Sequence, residues 1–473
     1  MKMKRTAHAF RRAAFIRGGM YRVNSDRHLL GTQSVGRLLF RLSLPSAIGM
    51  IVMSSYNVVD AIFIGRGVGS LGLAAVAICF PLQMLAGAMA VMAGAGGASI
   101  ISRSLGAGDT DRAQKAFGTT ISFATGVGIV ISILGMLFLP RVLRLFGASQ
   151  AILPHAEAYL SVIFFGIPFQ MFGMAGNHSV RAEGKAKISM ISLLISAILN
   201  MILDPIFIFW FGWGMRGAAV ATVISQMTMF AWIFSHFYRR KSLLHFAGEN
   251  LVPDMKILRE IIAIGVSEFT RMAAGSLSIV LINAALLRWG GDMHVAIYGV
   301  INRALSFFFM PLLGIAQGFQ PILGYNYGAG NLKRARKSIF LAMGSATVIA
   351  ILGFSAARFF PRAIFGLFSS DENLISEGVQ ALRLISSAFV LVGFQINGSA
   401  MFQALGKARP AFILSLSRQV LLLIPLVLTL PNFFGTAGVW ISFPIADSLA
   451  FCLTLYLFLR ELRRMQILDS ESA

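Results

Sequence analysis

Apolar runs of 18 or more residues recur along the whole length of this 473-residue chain, and that feature removes most folds from consideration. One such run covers the roughly 30 Å hydrocarbon core of a bilayer as a helix. A helix satisfies its own backbone in lipid, which an open strand does not. Twelve spans can be drawn, at residues 41–64, 71–102, 117–139, 156–178, 188–210, 217–238, 257–287, 295–325, 339–360, 374–405, 411–430 and 436–459. Charged residues make up only 13% of the chain, about half the share usual in soluble proteins. Glycine, at 47 residues, suits close helix packing in lipid. Pro81, Pro168, Pro311 and Pro425 fall inside spans and predict bends. The expected fold class is an all-α membrane protein of twelve transmembrane helices.

The net charge is +22, which in a soluble protein would raise the question of nucleic acid. Here 30 of the 41 Lys and Arg fall at or beside one set of alternating connections and only 7 on the other, with 4 inside spans. That asymmetry is the positive-inside pattern and puts both termini in the cytoplasm. No recognition motif accompanies the charge, so no nucleic-acid partner is expected. Residues 1–36 carry many basic residues but no apolar h-region, so they read as a basic cytoplasmic tail, or as a start codon placed upstream of Met20, rather than a signal peptide. Cys79 and Cys452 both lie in apolar runs and read as buried thiols.

The sequence also repeats. Gly106-Ala107-Gly108-Asp109 with Arg112-Ala113 and Lys115 returns as Gly328-Ala329-Gly330-Asn331 with Arg334-Ala335 and Lys337, at an offset of 222. Gly184-Lys185-Ala186 returns as Gly406-Lys407-Ala408, and Gly176 as Gly398, at the same offset. An offset of six spans keeps both halves in the same direction. It predicts two six-helix lobes related by a pseudo-two-fold along the membrane normal, with a transport path between them. The expected division is 1–36 tail, 37–238 N-lobe, 239–256 linker, 257–460 C-lobe and 461–473 C-terminal tail.

Ionisable residues inside a membrane are functional candidates by default. Asp60 in span one and Asp204 in span five reach similar depths, with Tyr56 and Asn200 one turn before them and no basic residue nearby in either helix. Two acids at one depth suit a proton or cation site, with Na⁺ an option at Asp60, Asn200 and Asp204. The alternative is that each acid only caps a backbone group freed by a kink, since Pro205 follows Asp204. Glu268 has Arg271 three residues on, a spacing that fits either an internal pair or a substrate contact, and Asp447 is placed to pair with Arg418. Neither acid of the first half has an acidic counterpart at the repeat offset, where Ile282 and Leu426 stand. Any coupling site is therefore confined to the N-lobe. Gly94-Ala95-Gly96-Gly97 follows no strand and reads as helix packing.

Over residues 35–460 the chain resembles the MATE (multidrug and toxic compound extrusion) family, nearer its DinF-like branch. The motifs that carry the resemblance are Pro45 with Asp60 fifteen residues later, Asn200-x-x-x-Asp204-Pro205, the Gly-Ala-Gly loops, and Gln317-Gly318-x-Gln320-Pro321 before Gly324-Tyr325-Asn326. The resemblance implies two lobes around a cavity of alternating access, with an N-lobe proton or cation site built from Tyr56, Asp60, Tyr159, Asn177, Asn200, Asp204 and Thr222. It also implies a helix-one bend at Pro45. Glu268, Arg271, Gln317 and Gln320 are the candidates for the substrate cavity. The NorM-like branch fits less well, because no acid of this chain matches that branch's helix-ten acid between residues 374 and 405. The function expected is a monomeric secondary antiporter, without cofactor, exporting amphipathic and cationic compounds in exchange for H⁺ or Na⁺. The competing class is a lipid or lipid-linked precursor flippase, which would want a basic cavity from Arg271, Arg303 and Arg418. No H-E-x-x-H and no nucleophile–base pair supports an enzyme.

Overall fold

The structure, a computed structural model, describes residues 29–239, 242–246 and 248–471. Most of the expected basic tail, residues 1–28, lies outside the described residues. The first six spans are α1 (Val35–Gly67), α2 (Ser70–Ala107), α3 (Thr110–Leu137), α4 (Leu153–Ala182), α5 (Ala186–Trp210, whose last turn is π-helical) and α6 (Gly214–Tyr238). The next 74 helical residues, Met255–Gly328, would be roughly 110 Å long if straight, far beyond any bilayer. Gly291 divides them with φ 71°, giving α7 (255–290) and α8 (292–328). Then follow α9 (Leu332–Phe359), α10 (Glu372–Ala404), α11 (Ala408–Thr429) and α12 (Pro431–Glu471). These are the twelve crossings expected from the sequence.

The repeat is visible in the backbone. Gly69 and Gly291, Gly108 and Gly330, and Gly184 and Gly406 pair at an offset of 222, and every one has a positive φ between 71° and 85°. Left-handed backbone of this kind costs glycine nothing and other residues a good deal. Asp109 caps α3 by accepting from the Arg112 amide, and its repeat counterpart Asn331 caps α9 by accepting from the Arg334 amide. Short helices Leu139–Leu145 and Pro361–Gly366 follow α3 and α9 in the same relation.

The lobes meet tightly at the end that carries the basic loops. A Cβ placed on Gly106 would lie 2.0 Å from the Tyr325 carbonyl oxygen, and one on Gly328 would lie 2.0 Å from that of Arg103. Tyr325 is itself the repeat counterpart of Arg103, so α2 and α8 cross on the pseudo-axis with each glycine seated on the other helix's backbone. Gly96 packs on the Ile261 carbonyl, Gly97 on Thr120 and Gly94 on the His178 ring, as the helix-packing reading requires. Glu260 at the start of α7 takes Arg103 at 2.8 Å and Arg112 at 2.7 Å from the N-lobe. At the opposite end, among the described residues, no hydrogen bond or ion pair joins the lobes.

Two elements differ from their expected extents. Residues 29–34 are not free of the body of the protein: Leu30 is buried, and its carbonyl accepts from Asn326 and Arg334 of the C-lobe. Likewise α12 continues to Glu471 through the expected C-terminal tail, held by Glu461 to Lys407 and by Asp469 to Arg336 at 2.5 Å each. The linker after α6 packs on the N-lobe. Leu244 is buried, its amide donates to Glu183, and the His245 amide donates to Gln114. Of the two thiols, Cys79 is buried as expected, whereas Cys452 is exposed on α12.

The core clusters do not respect the lobe boundary. The first turns of α7 (Ile257, Ile261, Ile264) belong to the N-lobe core. Those of α1 (Val35, Leu38, Leu39, Leu42) belong to the C-lobe core. Farther on, Gly49 of α1 meets Leu193 of α5, and Gly275 of α7 faces Gln419 of α11. Each helix thus begins in the other lobe and ends in its own.

Candidate functional site

Asp204 is fully buried and Asp60 half-buried, and across α1 and α5 the two carboxyls lie close enough for each to act electrostatically on the other. The Asn200 amide donates to Asp204 at 3.2 Å and lies 3.5 Å from the Thr222 hydroxyl of α6. Tyr56 feels both carboxyls, and Tyr159 of α4 feels Asp60 and lies near Gln83 of α2. Helices α1, α4, α5 and α6 therefore each place a polar side chain around the acids.

Asp60 Oδ1 and Asp204 Oδ2 are buried without a hydrogen-bond partner. Two neighbouring carboxylates, each with a buried oxygen that lacks a protein partner, are an arrangement that a proton or a cation between them would stabilise. The kink-capping alternative has no support, because neither acid accepts from a backbone amide among the described residues. The chain after Pro205 instead turns through the π-helical segment Ile206–Trp210, a local feature common at functional sites.

Asn177 does not join this cluster. Its amide donates to Ser192 at 2.6 Å and its oxygen accepts from Arg181 at 2.6 Å. Ser192 lies eight residues before Asn200, roughly 12 Å along α5 toward the basic-loop end. Pro45 is buried within α1, which runs through it as one helix, its ring leaving the Arg41 carbonyl without an intrahelical donor.

Of the residues assigned to the substrate cavity, Gln317 and Gln320 line a narrow cleft between the lobes. Gln320 donates to Gln403 at 2.7 Å, and Gln403 in turn donates to Glu268 at 2.8 Å. The other Glu268 oxygen takes Arg271 at 2.6 Å, so the internal pair is formed. Arg418 pairs with Asp447 at 2.5 Å, as its position in the sequence suggested.

Sequence reasoning passed over Gln83, His178, Arg181 and Gln403. Gln83 and Gln403 are uncharged amides, which a search for membrane-embedded charge does not single out. Arg181 was counted with the loop charges, yet it is only 7% exposed and lines the cleft with His178.

The MatE family model matches the chain twice, over residues 45–206 and 270–429. The spacing of the two matches is close to that of the internal repeat. Multidrug export protein MepA of Staphylococcus haemolyticus is 27% identical over 424 residues, covering 90% of this chain and 93% of the relative. MepA of Staphylococcus aureus is 28% identical over 417 residues, covering 88% and 91%. Among solved structures, a MOP superfamily transporter from Pyrococcus furiosus matches with TM-score 0.86 at 27% identity, covering 93% of this chain and 98% of its own. A MATE structure in the bent conformation matches with TM-score 0.87 at 27% identity, covering 94% and 99%. With twelve helices in two repeated lobes and a family match over both, the chain belongs to the MatE family of membrane transporters.

Proposed function

We propose that the chain is a secondary antiporter that exports amphipathic organic compounds, cationic ones among them, in exchange for H⁺ or Na⁺ bound at the Asp60–Asp204 pair. The observation that carries this reading is the closeness of two membrane-embedded carboxyls, each with a buried oxygen that lacks a protein partner. The names of the MepA relatives support multidrug export. The basic loops support cytoplasmic termini, so lobes closed at that end present the cleft to the outside.

In this state the pair receives its ion from the outer side. A proton lets one carboxyl donate to the other; Na⁺ would take oxygens from Asp60, Asp204 and Asn200. Either removes the repulsion between α1 and α5 and lets α1 repack about Pro45, which favours release of substrate outward. Ion and substrate then oppose one another through a coupling free energy. The flippase reading loses two of the three cations expected of it, since Arg271 and Arg418 are paired with Glu268 and Asp447.

Flux in proteoliposomes with pH and Na⁺ gradients imposed separately tests the proposal. Asp60→Asn and Asp204→Asn should each abolish gradient-driven export while keeping expression and melting temperature close to the parent. Normal export by Asp204→Asn would remove the N-lobe coupling model.

A further inference from the structure

The cleft between the lobes has a composition that coupling does not explain. Ten of its twelve lining residues are five pairs separated by 222: Ala95 with Gln317, Ala98 with Gln320, Ser99 with Pro321, Arg181 with Gln403, and Ala182 with Ala404. The cleft therefore sits astride the pseudo-axis at its closed end, built equally by both lobes. Its shape is symmetric and its charge is not. On the C-lobe side Gln403 has both amide atoms committed, accepting from Gln320 and donating to Ser267 and Glu268. On the N-lobe side stands Arg181, with His178 one turn before it and no carboxylate partner among the described residues.

Arg181 Nη1 donates to Asn177 Oδ1 and to Ser189 Oγ, which fixes the guanidinium plane. Nε and Nη2 have no acceptor among the described residues, yet the side chain is only 7% exposed. A buried cation without a counter-charge is costly, and the deficit is largest where lipid surrounds the bundle. Glu268, which bonds Gln403 of the opposite wall, has its oxygens on Arg271 and Gln403 and contributes nothing to the lining. Across the cleft the Gln317 amide finds only the Met50 sulfur, at 3.5 Å. Two adjacent guanidinium donors at the wall of this narrow cleft match the geometry of a bidentate oxyanion.

We propose that this cleft binds an oxyanion, the carboxylate or phosphate of an amphipathic ligand, through Nε and Nη2 of Arg181 with Gln317 opposite. This deepens the export reading: the substrates would include carboxylates and zwitterions as well as cations. Because both lobes supply the walls, the site exists only while the floor is closed, so an occupant stabilises that state.

The test is calorimetric titration of the purified full-length protein in neutral detergent with three probes. These are 2-naphthoate, 2-naphthylmethylamine with the same ring and the opposite charge, and lysophosphatidate for a lipid source. We expect naphthoate or lysophosphatidate to bind more tightly than the amine, the tighter of the two identifying a substrate carboxylate or a lipid phosphate as the source. Arg181→Gln should weaken that anion on the order of tenfold or more, and Arg181→Lys less. Should Arg181→Gln fail to fold, Gln317→Glu neutralises the site from the far wall without disturbing the Asn177 and Ser189 bonds. It should weaken the anion and strengthen the amine. Binding of neither anion, equal or tighter binding of the amine to the parent, or anion affinity unchanged in the folded variants would overturn the proposal. Titration of Asp204→Asn keeps the two readings apart: the cleft proposal requires its anion affinity to persist, whatever happens to coupled flux.

Discussion

Gly328→Ala tests the closed floor most directly. Its Cβ would stand 2.0 Å from the Arg103 carbonyl oxygen, where ordinary contact begins at 3.4 Å. The obstacle is backbone, so no side chain can rotate away, and α2 and α8 must part by more than an ångström. Overpacking of this kind costs about 1–3 kcal/mol. Charged against the closed state alone, that lowers the closed-to-open ratio roughly 5–150-fold. Gly106→Ala should do the same through Tyr325, and the double variant should cost less than the two singles combined, because one parting serves both. The assay is maleimide labelling of Ser102→Cys, a floor position only 2% exposed, in a Cys452→Ala background. Labelling should accelerate in either glycine variant and not in Gly344→Ala, where a Cβ meets nothing within 4 Å. Unchanged labelling in both Gly106→Ala and Gly328→Ala would refute the argument that this crossing holds the floor shut.

Two further expectations concern the loops and α1. Burial pushes Glu183 upward, but Lys185, His236 and Ser242 around it outweigh that and hold it down to about 2, from 4.5. Its contribution to stability is therefore complete above pH 4.5 and lost as the pH falls toward 2, at most about 3 kcal/mol. Melting curves between pH 6 and pH 3 should fall less for Glu183→Gln than for the parent, and parallel curves would refute the assignment. Pro45→Ala restores an amide hydrogen to α1 and should keep drug binding while reducing its dependence on pH or Na⁺. Drug affinity measured at pH 5 and 8, with and without Na⁺, checks this; an undiminished ion dependence would exclude Pro45 from the coupling path.

Much of the architecture was legible because it is written in local rules. Apolar length marks the spans, and the glycines at 108, 184, 330 and 406 had to recur because each helix end needs a left-handed residue. The acid pair was legible because carboxylates inside apolar runs have few innocent explanations. Arg181 was not, since its place at the end of a span is the same whether it faces water or a cleft, and only the approach of both lobes decides. Asn177 was misplaced for a related reason: a polar residue on α4 can face α5 at several depths, and the serines at 189 and 192 captured it. The continuation of α12 depends on Lys407 and Arg336, partners contributed by distant segments.

The crossed starts of α1 and α7 have a consequence for how the molecule moves. Two copies of a six-helix unit, each lending its first helix to the other's core, have the arrangement of an arm-exchanged homodimer that a linker has made permanent. Neither half is then a self-contained module, and separated halves would each expose the groove vacated by the missing arm. The linker cannot serve as the pivot, because it is pinned to the N-lobe. The give must lie within the arms, where each leaves its host for its own lobe. On α1 that passage falls between Ala47, against Gly314, and Gly49, against Leu193. Pro45 stands at its threshold, so the hinge is a stretch of helix rather than a loop.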